Sequence, residues 1–564
     1  MTRHSPAALR RRSLLLVASS VLVVPISRAQ APAQTPPRAS YKISGAVVNT
    51  ITSEPLQNAR VFLRLTSNRS RFISMLTSDS GRFEFDDVPA GKFSLEAAAR
   101  GFIGAAYNQH EQFSTAIVTA AGISTENLTL RLMPLASISG VVLDDHGEPV
   151  SEANLSLFLQ SHRGGMTRTI RVSSASTDDL GSFEFPFIGP GTYFLSATAR
   201  PWYAVHPTTS PEAFGVSSQR VDPSLDVVFP TTFYGGATDS SDAASIQVRG
   251  GDRVQADIHL SPVPALHVIV RTPASDDPNR GFYPPIFEKR TFDSIEPESP
   301  ETANPVSPGV YELTGIPPGN YTVRFQEMPQ GANSVQQSAP VQMSLTENGQ
   351  ELDPSRAQPT ATIKLTAKLP RDDNPPRQIF FGLQSARGRV ISFQQLDPTT
   401  NQLSFDSIPP GKYSIRVNNN GKPYAVSRLL SGETELPGAV LDVTAGVSLE
   451  LTADLIAGVV SVEGVVHKAG KPVAGVMIAL VPKDPETHLE FFRRDQSDLD
   501  GTFVVRGVIP GQYTIIALQD AWGFEWLKPG VLSRYLQHGQ TLNIGNLMHN
   551  SVYLPEPLEV QSRQ

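Results

Sequence analysis

Three tryptophans occur in 564 residues, and each follows a strand-like run: Trp202 beside Tyr203, Trp522, and Trp526 within Gly523–Gly530. An exposed indole or phenol ring offers a flat apolar face on which a sugar ring can stack, with a polar tip to bond its hydroxyls. Phe102, Trp202 and Trp522 each lie eleven residues after a recurring glycine, and a repeated aromatic at that place reads first as a packing plug. Trp526 has no counterpart in the first copy, sits in a Gly/Pro-bounded loop and is flanked by Glu525 and Lys528. Trp202, Tyr203 and Trp526 are therefore the candidate ligand-binding residues.

The ionisable residues exclude more chemistry than they offer. A zinc hydrolase holds its metal with His-x-x-Glu and a distant His, but none of the eleven histidines has Glu three residues on, and His488-Leu489-Glu490 is spaced wrongly. His-Glu-x-x-His, Gly-x-Ser-x-Gly and a Gly-rich phosphate loop are all absent. Asp498-Leu499-Asp500-Gly501 imitates part of a calcium loop, yet that frame puts Gln496 first and Gly507 twelfth, where a bidentate Glu belongs. The Asp-Gly pair reads first as a turn. Without cysteine there is no disulfide and no thiol nucleophile. The expectation is a non-enzyme, with no catalytic residue, no metal and no cofactor.

The elements around these residues are strands. Apolar-x-x-apolar-x-x-Gly-x-aromatic recurs five times, ending in Gly91-Lys92-Phe93, Gly191-Thr192-Tyr193, Gly319-Asn320-Tyr321, Gly411-Lys412-Tyr413 and Gly511-Gln512-Tyr513. The five glycines are 100, 128, 92 and 100 residues apart, the size of a seven-stranded sandwich. Alternation on both sides, as in Phe83/Phe85 and Phe93/Leu95, predicts strand, turn, strand. Pro before Gly predicts a type II turn, with φ > 0 at Gly91, Gly191, Gly319, Gly411 and Gly511. Three copies share a front half, Ile43-Ser44-Gly45, Ile138-Ser139-Gly140 and Val462-Glu463-Gly464, followed by a second glycine at Gly81, Gly181 and Gly501.

This pattern, Ser-Gly-x-Val, then Gly-x-Pro-Val, then Asp-x-Gly-x-Phe-x-Phe-x-x-Ile-Pro-Pro-Gly-x-Tyr, resembles the carboxypeptidase regulatory-like domain. The likeness spans copies one, two and five and the second half of copies three and four. It implies a prealbumin-like β-sandwich, grouped with carbohydrate-binding-like folds, in an exported bacterial repeat protein; it does not imply a peptidase. Phe229–Gly236 and Trp526–Gly530 resemble further stretches of such proteins. Related sandwiches of Gram-positive surface proteins can carry a Lys–Asn cross-link helped by a Glu four residues past the motif aromatic. Here Ala97, Ala197, Phe325, Val417 and Ala517 stand there, so no such bond is expected.

The expected organisation is all-β, with five tandem antiparallel sandwiches. Residues 1–31 read as a signal peptide, from Arg3, Arg10, Arg11 and Arg12, the apolar run Leu14–Val24 and Ala29-Gln30-Ala31. A linker (32–40) precedes modules at 41–133, 134–262 (with an enlarged tail, Ala204–Ser241), 263–349, 358–455 and 456–560, with a second linker at 350–357. Asp293–Pro308 reads as a mobile loop. Loss of residues 1–31 takes five arginines, so the formal charge of −7 becomes −12, a poor match for nucleic acid or anionic lipid. No later run approaches a membrane span. The leading expectation is a non-enzymatic exported protein (periplasmic, surface or secreted) that binds or spaces other molecules, with an unknown protein or glycan as partner. A carbohydrate-binding protein and an accessory subunit of an extracellular enzyme are the alternatives.

Overall fold

The computed structural model describes residues 40–562, apart from 69, 163, 208–221, 273–281, 328–334, 371–377, 386–387, 420–422, 486–487, 529 and 546–550. The proposed signal peptide lies outside the described residues. Among these residues the chain is almost wholly β; its one α-helix, Ser533–Leu536, is a single turn.

The first module sets the plan. One sheet orders Arg82–Pro89, Ser40–Asn49, Leu128–Pro134 and Phe102–Ile103; the facing sheet orders Phe72–Leu76, Arg60–Leu65, Gly91–Ala98 and Ala105–Ala106. Alternate residues point inward, so Ile43, Val61, Leu63, Phe83, Phe85 and Leu95 make a closed core. The first strand runs parallel to the last, Gly45 opposite Leu128. A Cβ on Gly45 would overlap the Leu128 carbonyl and the Phe83 ring, and Gly140 meets Ala256 and Phe183 in the same way. The Ser-Gly of the front half is thus a close-approach glycine. Each of the five modules has its own apolar core.

The recurring turn differs from the type II expectation. Gly191, Gly319 and Gly511 do not have positive φ, and Gly91 (+158°) and Gly411 (+153°) stand at the extended edge of that range. The left-handed residue lies four positions earlier in every copy: Asp87 (57°), Phe187 (59°), Gly315 (71°), Ser407 (55°) and Gly507 (68°). It belongs to a β-bulge, because the first strand of each module shifts register at Tyr41/Ile43, Ala136/Ile138, Leu266/Val268, Ala361/Ile363 and Val460/Val462. The motif glycine instead begins the next strand and leaves room for the aromatic two residues on. That ring lies back over the turn, and its hydroxyl donates to the carbonyl four residues before it: Tyr193 to Gly189 (2.9 Å), Tyr321 to Pro317 (2.7 Å), Tyr413 to Pro409 (2.7 Å) and Tyr513 to Ile509 (2.5 Å). Phe93 has no hydroxyl, and Thr119 Oγ1 donates to the corresponding carbonyl, Pro89, at 2.7 Å.

Two other expectations are corrected. Gln350–Leu352, assigned to a linker, is a strand paired in parallel with Leu266–Arg271. Within Asp293–Pro308, read as a mobile loop, Ser294–Glu298 and Thr302–Ser307 are edge strands; Pro305 is tolerated there because an edge has unpaired positions and the register shifts beside it.

Candidate binding cleft between the first and fifth modules

The modules do not simply follow one another: the fifth packs back on the first and second. In the first module, Asn108 (φ 48°) and Glu111 (φ 52°) take left-handed turns, and His110 bridges to Phe113. This tight loop presents His110, Glu111 and Phe113 to the fifth module. There the strand Arg493–Gln496 offers Arg494, only 6% exposed, which bonds both carboxylate oxygens of Glu111 at 2.8 and 3.3 Å. The Arg494 guanidinium lies over Trp526 (4.7 Å), Phe113 (5.3 Å) and Trp522 (5.8 Å), and the His110 ring stacks on Trp522 at 4.9 Å. Gln496 Nε2 donates to Asn108 O (2.7 Å) and Thr115 Oγ1 (2.8 Å). Lys92 binds Asp498 (2.5 Å) and Thr502 (2.6 Å), and Asp498 accepts from Ala116 N at 3.1 Å.

A second contact joins the fifth module to the second. The Trp526 ring stacks on Phe492 at 4.2 Å and 5°, and a Cβ on Gly165 would overlap it. Leu527 N donates to Gly165 O (3.0 Å), and Thr167 donates from N and Oγ1 to Glu525 (3.2 and 2.6 Å). Lys528 first, and Thr167 after it, pull the Glu525 carboxyl down to about 2. The exposed indole expected at Trp526 is therefore not found: its Gly/Pro loop bends the ring under Arg494 and against the second module. The indole N–H groups of Trp522 and Trp526 are buried and find no hydrogen-bond partner among the described residues. Trp202 is 86% exposed and meets Tyr203 edge-on at 5.7 Å. The structure thus places the candidate aromatics in two unlike settings.

Beside the first of these contacts lies an open cleft of about 940 Å³, lined by Arg64, Lys92, Glu96, Gln109, Asp495 and Arg506 among others. Burial pushes Asp495 up to about 6, although its carboxylate accepts from Val504 N at 2.8 Å. Burial also raises Asp498, against the pull of Lys92. The cleft is a recess with charges of both signs. Ser94 donates to Glu96 at 2.8 Å. Elsewhere Thr167 Oγ1 lies 2.8 Å from His162 Nδ1 and donates to Glu525 at 2.6 Å.

A third feature joins the second and third modules. His206 Nδ1 lies 2.8 Å from Asp226 Oδ1, Asp226 Oδ2 lies 2.8 Å from His267 Nε2, and His267 Nδ1 lies 2.7 Å from Glu312. Both His267 nitrogens face carboxylates, an arrangement that favours the doubly protonated ring. Glu312 first, and Asp226 after it, raise the His267 pKa against the opposing effect of burial. Sequence reading missed this chain, whose members are far apart and form no motif. The one available signal is that His267 and Glu312 interrupt apolar runs in otherwise buried strands.

Residues 42–132 match the carboxypeptidase regulatory-like domain. The first module is therefore recognised by that family's description, with His110, Glu111 and Phe113 inside the matched span. Among solved structures, the chain is similar to the Bacillus anthracis TIE protein, at 11% identity over 75% of this chain and 76% of that one, TM-score 0.18. It is also similar to GBS52, the minor pilin of Streptococcus agalactiae, at 10% identity over 42% and 99%, TM-score 0.21. Two B repeat units of the collagen binding protein (Cna) of Staphylococcus aureus match at 10% identity over 74% and 100%, TM-score 0.13. Likeness at this level carries no inference about what this chain binds. No match is found among curated proteins.

Proposed function

We propose that the chain is a non-enzymatic, exported binding protein whose five modules close into one rigid unit, rather than an extensible spacer. The observation that carries this reading is the packing of the fifth module on the first through Arg494, Glu111, Trp522 and Lys92–Asp498. A spacer gains length from each module; a chain whose last module returns to its first does not. Closure also forms the charged cleft, and such concave sites between modules are common ligand sites. Exposed Trp202, edge-on to half-buried Tyr203, favours a second reading, sugar recognition at that pair.

Small-angle scattering of the mature protein tests closure. A compact chain of this size has a radius of gyration of about 24 Å, and five modules in a row more than double that. A value near the larger figure sinks the closed-unit reading.

A further inference from the structure

Where the third module hands over to the fourth lies a groove of about 490 Å³, within the range of small-ligand sites. Its lining differs in kind from that of the first–fifth cleft. Among the described residues it has one carboxylate, Glu327, and no Lys, Arg, Asp or His. Among the described residues the lining therefore offers a ligand little charge.

Rings and amides are on offer instead. Phe282 and Tyr311 stack in parallel, centroids 3.6 Å apart and planes within 6°, and both line the groove. Each ring fixes the other's plane, which lowers the entropy cost of stacking a third flat group. Gln336 and Gln358 are exposed at the rim, and each amide carries a donor pair and an acceptor on one planar group. Gln326 also lines the groove, but its Nε2 donates to Pro284 O at 2.8 Å and so holds the wall. Pro354 and Pro359, from the connection to the fourth module, add apolar surface with no N–H to satisfy.

We propose that this groove binds a neutral linear saccharide. A sugar ring has an apolar C–H face for an aromatic plane and adjacent hydroxyls for one amide, and it needs no counter-charge. A proline-rich peptide would also use the rings and would accept from the amide N–H groups, but it has few N–H donors for the amide oxygens; a sugar hydroxyl both donates and accepts, and this favours the saccharide. The proposal rests on the reading of the chain as a binding protein and gives that reading a ligand class.

The test is titration of the mature protein with maltohexaose, cellohexaose, xylohexaose and chitohexaose, and separately with decaproline, by calorimetry and saturation-transfer NMR. At least one hexaose is expected to bind, and Tyr311→Ala and Gln336→Ala are each expected to weaken it about tenfold or more (about 1.4 kcal/mol). Gln336→Ala, at an exposed rim residue, should leave the melting temperature unchanged, so its effect is not one of unfolding. Binding of decaproline alone, binding of no hexaose, or binding that both variants leave intact overturns the proposal. Scattering keeps the two readings apart: a compact protein that binds no hexaose loses the groove and keeps the closed unit, whereas an extended protein that binds one keeps the groove.

Discussion

The buried chain of charges between the second and third modules gives the sharpest test of how those modules are held. In His267→Ala, Glu312 (0% exposed) and Asp226 (17%) lose the cation between them. Removing one partner of a buried ionic group, while its neighbours keep their charge, typically costs about 3–5 kcal/mol. The pH dependence has a definite sign. The His267 pKa is raised in the folded protein, so its stabilisation is complete below the unfolded value of about 6.5 and fades as pH rises through the folded value. Above that point one nitrogen loses its proton and faces a carboxylate with no hydrogen between them. Glu301, which Arg200 binds at 2.7 Å, adds negative charge on the His206 side. The assay is hydrogen exchange of Leu266–Arg271 and Val310–Ile316 from about pH 6 to about pH 9, with rates corrected for intrinsic exchange. Wild type should open more readily at the alkaline end, and His267→Ala should be looser throughout with a flatter pH profile. A cost below about 1 kcal/mol, or a slope that survives the substitution, refutes the imidazolium clamp.

Three further outcomes follow from the same contacts. Glu111→Ala leaves Arg494 buried among rings without its carboxylate and should open the first–fifth contact, read as a larger radius of gyration and faster exchange across residues 107–115; an unchanged radius shows that the contact does not hold the unit closed. Tyr413→Phe leaves the Pro409 carbonyl without its donor and should cost the fourth module about 1–2 kcal/mol in denaturant unfolding, and Thr119→Val should do the same to the first module, whereas no loss at either would deny the corner its role. Ser407→Val forces a β-branched residue into φ 55° and should cost about 1–3 kcal/mol; an unaltered transition would show that the bulge can relax.

The repeat was legible in the sequence because every copy meets the same local demands. The alternation, the bulge and the ring over the turn recur in five cores, so the residues that serve them recur too. The type II reading failed for a physical reason: Pro-Gly is compatible with that turn, but pairing with the first strand puts the extra residue, and the left-handed backbone, four places earlier. Trp526 was misread because a Gly/Pro loop says that the chain bends and not what it bends against. Contacts such as Lys92–Asp498 join residues hundreds of positions apart and leave no local pattern.

What did mark these contacts is divergence between copies at equivalent places. Arg494 faces Ala479 in the strand ladder, as Ser74 faces Phe62 and Ser174 faces Ser156 in the first two modules. Those two serines are exposed, whereas Arg494 is buried under aromatic rings. Asp178 and Asp498 hold the same place, three residues before the glycines of the Asp-Gly turns. Asp178 accepts from Leu180 N (3.0 Å) and Ser182 N (2.8 Å) of its own turn, whereas Asp498 turns to Lys92 and Ala116 of another module. The fold needs neither Arg494 nor the outward aim of Asp498, since the first two modules do without them. Positions that the fold leaves free, and that one copy fills with a long charged side chain, are therefore where contacts between modules should be sought in chains of this kind.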